Sequence, residues 1–216
     1  MSVKVIIFDF DGTLADTLDA IVGITNRLAK EYGYKPTAPE ELAQIRNMSS
    51  REIVKQSGIS IFKIPFLLKK IKSDLRDDIQ EIKPVLGIKE ALTKLKSEGN
   101  YLGILTSNSE ENVRAFLKKH DMQNLFSSIY SETTLFSKHK VLNRFIKQNN
   151  LIPEDVIYVG DETRDIESSK KIHVKVIAVS WGFNSREALA KQNPDFLIHQ
   201  PSELIEIMGN LQQIVL

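Results

Sequence analysis

The chain has 216 residues, 42% of them hydrophobic, which is enough to bury a sizeable core and to carry a smaller insert beside it. Lys and Arg total 29 against 28 Asp and Glu, so a formal charge of +1 gives no field that would recruit nucleic acid or an anionic membrane. There is no cysteine, which excludes disulfide frameworks, thiolate zinc sites, iron-sulfur clusters and thiol catalysis.

The N-terminal apolar run is short and runs straight into carboxylates, unlike a secretory leader, and no apolar stretch reaches the roughly 18 residues of a membrane span. A cytoplasmic protein is the expectation, with the oligomeric state open. In chain order, β-rich runs fall at residues 3–8, 101–105, 128–130 (the weakest), 156–159, 174–179 and 196–198, each closing on polar or glycine-containing turns. Helical periodicity occupies 87–97, 110–120, 140–149 and 165–171, and a last helix closes the chain. Apolar strands alternating with helices predict an α/β fold, with a parallel sheet covered on both faces in a Rossmann-like, three-layer core.

Between the first and second strands lie about 85 residues with almost no strand pattern, far more than the dozen or so that a crossover requires. They hold a periodic segment at 18–32 and shorter ones near 36–42, 49–58 and 62–75, punctuated by Pro36, Pro39, Gly58 and Pro65. This length predicts an inserted helical subdomain at 16–84, leaving 1–15 and 85–216 as the core.

Asp9 and Asp11 follow the first strand directly. In extended backbone, residues two apart share a face, so both carboxylates can enter one site at the carboxyl end of the strand. Gly12 and Thr13 add a flexible turn and a hydroxyl. Such a pair persists only if a cation compensates it or one member holds a proton, and phosphoryl transfer uses both arrangements. Asp9 would attack phosphorus while Asp11 protonates the leaving oxygen and later takes a proton from water. A plain polar turn accounts for the spacing when it is read alone.

Three further corners follow strands of the same sheet. LTSNS places Thr106, Ser107 and Asn108 before a helix, where hydroxyls and N–H groups hold phosphate oxygens; Thr106 is the first choice and the other two follow. FSKHK offers Lys138 and Lys140 as the cation for a nonbridging oxygen, with Lys138 preferred after the Phe136–Ser137 loop. GDETRD brings Asp161 as a direct metal ligand and Asp165 as a ligand or a carboxylate supporting one, in an all-oxygen setting that suits Mg2+. Capping explains any single corner more easily than it explains the set.

The pattern DFDGTLADT at Asp9 to Thr17, combined with LTSNS and GDETRD, resembles the haloacid dehalogenase-like hydrolases, within the group similar to phosphoglycolate phosphatases. That resemblance spans essentially the whole chain. It implies a phosphoaspartate on Asp9, acid/base work by Asp11, and Mg2+ held by Asp9, the Asp11 carbonyl and Asp161 with support from Asp165. Thr106 and Lys138 would bind the phosphoryl group of a small phosphorylated metabolite, beneath a helical cap. Ser107–Asn108 departs from the Asn followed by Lys or Gly of many relatives, and no proline follows the motif lysine. Arg46 and Arg51 are candidates to reach an anionic leaving group, and Trp181 and Phe183 either pack or border the pocket. A phosphomutase, another phosphotransferase or a noncatalytic phosphate-binding module would share the same pattern.

Overall fold

The computed structural model describes residues 4–131 and 138–213, so Val3 and the Phe136–Ser137 loop lie outside the described residues. Six strands form one sheet: β1 (Val5–Phe8), β2 (Tyr101–Thr106), β3 (Ser128–Ser131), β4 (Val156–Gly160), β5 (Lys175–Val179) and β6 (Phe196–Ile198). Their order is β3-β2-β1-β4-β5-β6 and every pairing is parallel. The chain fills one side of β1 first and then crosses to the other, which opens a crevice beyond the carboxyl ends of β1 and β4.

Strand alternation divides the core into two layers. Ile6 and Phe8 face one cluster, with Leu92 and Leu95 of α5 (Ile88–Ser97) and Phe116 of α6 (Glu110–Lys119). Val5 and Ile7 face the other, with Leu142 and Phe145 of α7 (Lys138–Gln148) and Ile166 of α8 (Thr163–Lys170). All four residues of β1 are buried, as a central parallel strand requires. The final elements are α9 (Arg186–Lys191), which the sequence pattern did not reveal, and α10 (Glu203–Gln213). Ser185 caps α9 by accepting from the Ala188 amide, which lets a six-residue helix start cleanly.

Two helix starts lie two residues earlier than the pattern suggested. Asp165 sits at the third position of α8 and its Oδ2 accepts from the Glu162 amide at 3.2 Å, so it caps the helix from within instead of opening it. Lys138 begins α7 because its ammonium is drawn inward by carboxylates, where a free KHK segment would read as loop.

Between β1 and β2 the insert is helical: α1 (Leu18–Tyr32), α2 (Leu42–Arg46), α3 (Ser50–Ser57) and α4 (Ile64–Asp78) form a cap over the crevice. The entering and leaving strands run beside each other, with Asp16 N donating to Lys83 O and Val85 N to Leu14 O, both at 3.0 Å. Among the described residues, no helix is long and apolar enough to cross a membrane.

Candidate active site

Asp9 follows β1, Asp161 follows β4, and Asp165 lies on the first turn of α8. The parallel pairing of β1 with β4 sets the first two side by side, and each of the three carboxylates offers an oxygen within 4.8 Å of the others. All three are buried. Asp9 Oδ1 accepts from the Phe10 amide at 2.8 Å, and Asp9 Oδ2 meets Lys138 Nζ at 2.5 Å. The same ammonium reaches Asp165 Oδ1 at 2.7 Å. Lys138 is 2% exposed, whereas Lys140 points to solvent, so the lysine that enters the site is Lys138.

Asp161 has no cationic partner among the described residues. Its Oδ1 accepts from the Thr13 hydroxyl and its Oδ2 from the Phe183 amide, both at 2.7 Å. Three glycines wall this acidic cluster. A Cβ on Gly12 or on Gly182 would come within 2.3 Å of Asp161 Oδ2, and one on Gly160 within 2.4 Å of Asp165 Oδ2. Gly12 is doubly constrained, because its φ of +75° is left-handed backbone.

The charges are strongly coupled. Burial, and then Glu162, Asp9 and Asp165, push Asp161 well above the usual carboxylate range. Burial lifts Asp165 to about 6 although Lys138 opposes it. Burial acts against the charge on Lys138, but Asp165 and Asp9 outweigh it and raise the ammonium above its ordinary value. Asp11 is pushed up to about 7, by its loss of water and then by Asp9. A dense, buried, all-oxygen donor set with one lysine for several carboxylates is chemically suited to a hard divalent cation.

Asp11 opens onto a cavity of about 190 Å³, with Ser107, Asn108 and Phe183 on the core side and Leu68, Ile71 and Lys72 on the cap side. Asn108 Nδ2 donates to both Asp11 oxygens at 3.1 Å. Thr106 is buried at the end of β2, where its Oγ1 accepts from the Asn108 amide at 2.9 Å.

Of the two cap arginines, Arg46 is engaged by backbone carbonyls of the core. Arg46 donates from Nε to the Phe183 carbonyl and from Nη2 to the Gly182 carbonyl, both at 2.9 Å, so it straps the cap to the loop after β5. Arg51 is exposed. Phe183 borders the cavity, while Trp181 packs on the core and donates from Nε1 to the Thr13 carbonyl at 3.2 Å. Sequence reading missed Gly182, Asn184 and Asn112. Asn184 is buried, accepts from the Thr163 amide at 2.8 Å, and donates to the Arg46 and Met48 carbonyls of the cap. Only the neighbouring candidates Trp181 and Phe183 pointed toward the first two.

The sequence and the fold both have relatives. Residues 6–179 match the family model described as haloacid dehalogenase-like hydrolase. A phosphoglycolate phosphatase of Synechococcus elongatus is 38% identical over 210 residues, which covers 97% of this chain and 99% of that protein. One of Aquifex aeolicus is 27% identical over 210 residues, covering 96% and 97%. The crystal structure of a predicted phosphatase from Clostridium acetobutylicum superposes with a TM-score of 0.82 at 20% identity, covering 97% of this chain and all (100%) of that one, and so shares the fold. With the acidic cluster set at the ends of β1 and β4 and the family match running through both strands, this chain belongs to the haloacid dehalogenase-like hydrolases and is a phosphatase.

Proposed function

We propose that the protein hydrolyses a small phosphomonoester, with Asp9 as the transient phosphoryl acceptor and Asp11 as the acid/base. The observation that carries this is the convergence of Asp9, Asp161 and Asp165 within 4.8 Å of one another, beside Asp11. Displacement of a halide would need the nucleophile but not the additional buried carboxylates.

Asp9 is held in one orientation by the Phe10 amide and Lys138, so it is aligned before substrate arrives. Its carboxylate oxygen bonds to phosphorus as the ester bond breaks, and the departing alkoxide takes the proton of Asp11. With a carboxyl raised to about 7, Asp11 holds that proton near neutral pH. The basic form of Asp11 then takes a proton from water as that water attacks the aspartyl phosphate, releasing inorganic phosphate and restoring both residues. Lys138 balances negative charge on the phosphoryl oxygens. Thr106 Oγ1, which uses one lone pair on the Asn108 amide, keeps its O–H free to donate to such an oxygen. Asp9, Asp161 and Asp165, with the Asp11 carbonyl, would hold Mg2+, which supplies charge neutralisation at the transferring group.

We also assign residues 16–84 to the cap and 1–15 with 85–216 to the core; the hydrogen bonds joining Asp16 to Lys83 and Leu14 to Val85 support those bounds. The names of the relatives make phosphoglycolate the first compound to try. The test is phosphate release from a panel of small phosphomonoesters with and without Mg2+, in the wild type and in Asp9→Asn. Turnover should need the metal and vanish in the variant while its circular dichroism stays native. Undiminished release by Asp9→Asn would overturn the assignment, and recovery of the phosphoryl group at another position of a sugar would indicate a mutase.

A further inference from the structure

Asn112 lies on α6, away from the cavity, yet its side chain joins the cap to the acid/base. Its Nδ2 donates one hydrogen to the backbone carbonyl of Lys72, in cap helix α4, at 3.0 Å. The other goes to Asn108 Oδ1 at 2.9 Å. Neither acceptor carries a hydrogen, so the Asn112 amide has only one workable orientation. Asn108 Oδ1 also accepts from the Ser109 amide at 2.7 Å, so the Asn108 amide in turn must aim its NH2 at the two Asp11 oxygens. The chain of donors is polar from end to end: Asn112 fixes Asn108, and Asn108 fixes Asp11.

Stability alone does not account for this arrangement. Asn112 is 1% exposed and its Oδ1 is buried with no hydrogen-bond partner among the described residues, a cost that an apolar residue of the same size would avoid. Nor is the side chain needed to start α6, since the Ser109 hydroxyl already caps that helix at the Asn112 backbone amide.

We infer that Asn112 is a positioning residue that couples the seating of the cap to the orientation of Asp11, acting through Asn108. With the cap seated, both Asn112 hydrogens are used and the amide chain is locked. When α4 lifts, the Lys72 carbonyl leaves, one Asn112 hydrogen loses its acceptor, and the Asn112 amide can turn away, so that Asn108 Oδ1 keeps the Ser109 amide as its one secured donor and holds Asp11 less firmly. Asp11 is therefore best oriented for proton donation once the substrate is enclosed. This role rests on the reading of Asp11 as the acid/base.

The experiment compares Asn112→Leu, of similar size but without donors, with the wild type on two substrates. Phosphoglycolate has an alkoxide leaving group that needs the proton; p-nitrophenyl phosphate has a phenolate that leaves with little help. The readout is kcat/KM, which ends at departure of the alcohol. We expect a loss of about tenfold or more on the alkyl ester, a fraction of the ~10²–10⁴ that general acid/base catalysis is worth, and less than about threefold on the aryl ester. In an Asp11→Asn background, Asn112→Leu should add no further loss on the alkyl ester. Equal losses on both substrates, or additive losses with Asp11→Asn, would overturn the role. Asn112→Ser, which keeps one donor, is measured alongside in case the leucine variant fails to fold, and should show the same substrate split to a smaller degree. If the wild type releases phosphate from neither substrate, the hydrolase reading itself fails and takes this role with it. Failure of the role alone appears only in an active enzyme.

Discussion

Adding a single methyl group at Gly182 probes the acidic cluster without touching a titratable group. The Cβ of Gly182→Ala would lie 2.3 Å from Asp161 Oδ2, 2.4 Å from its Cβ and 2.5 Å from its Cγ, where ordinary contact begins near 3.4 Å. Something must open by about 1 Å, and Gly12 approaches the same Asp161 oxygen at equal range. Asp161 is also tied to Thr13 and to the Phe183 amide, so its retreat breaks hydrogen bonds, and overpacking of this kind costs about 1–3 kcal/mol. The larger effect is on turnover, because a misplacement of about 1 Å at a reacting centre is worth roughly 10²-fold. The assay is phosphate release titrated with Mg2+, next to thermal unfolding. Gly182→Ala should shift the Mg2+ requirement upward and lose about two orders of magnitude while remaining folded. Gly209→Ala serves as the control: it lies in α10 with nothing within 4 Å of the added carbon, and should be neutral or gain about 0.5–1 kcal/mol. A Gly182→Ala enzyme with wild-type Mg2+ dependence would refute the reasoning.

On the proposed mechanism the acid form of Asp11 sets the pH dependence. Its carboxyl is raised to about 7, so the proton is present below that pH and lost above it, and kcat/KM on an alkyl phosphomonoester should decline on the alkaline side. A bound cation favours the ionised form and moves this limb to lower pH, while p-nitrophenyl phosphate should show little of it; identical profiles for the two substrates would count against Asp11 as the acid. Lys138→Met leaves Asp9 and Asp165 buried without their shared ammonium, and in the absence of divalent cation should lose about 3–5 kcal/mol in urea unfolding. Lys140→Met, at an exposed position, should stay within about 0.5 kcal/mol. Equal losses from the two would contradict the buried pairing.

The features most legible in the sequence are those written as runs. The strand bounds fall within a residue or two of the periodic segments, and α1 spans the 18–32 stretch that its apolar spacing marks. The insert was legible from length alone, because a crossover needs no more than a dozen or so residues. Lys138 could be favoured over Lys140 but not fixed by pattern, since the difference is the burial that α7 imposes. What sequence could not show are tertiary contacts that no motif or periodic run joins. Gly182 is an unremarkable glycine until the fold brings it against Asp161, and Arg46 looks like a substrate ligand until its guanidinium meets the carbonyls of Gly182 and Phe183. Asn112 carries no motif, because its importance lies in two acceptors 40 and four residues away in the chain.

The distribution of positive charge divides the labour among the carboxylates. Lys138 answers Asp9 and Asp165, and Arg164 pairs with Glu162. Among the described residues Asp161 is left with neutral donors alone, and its carboxyl is driven well above its ordinary range by burial and by the surrounding acids. A group in that position gains most from a hard cation, since the cation offsets the lost hydration and the repulsion together. On the proposed mechanism Lys138 aligns Asp9, while Asp161 would be the carboxylate that most needs a divalent ion. Gly12 and Gly182 serve the same end: there the backbone approaches closely enough to add packing to the hydrogen bonds that orient the Asp161 carboxylate.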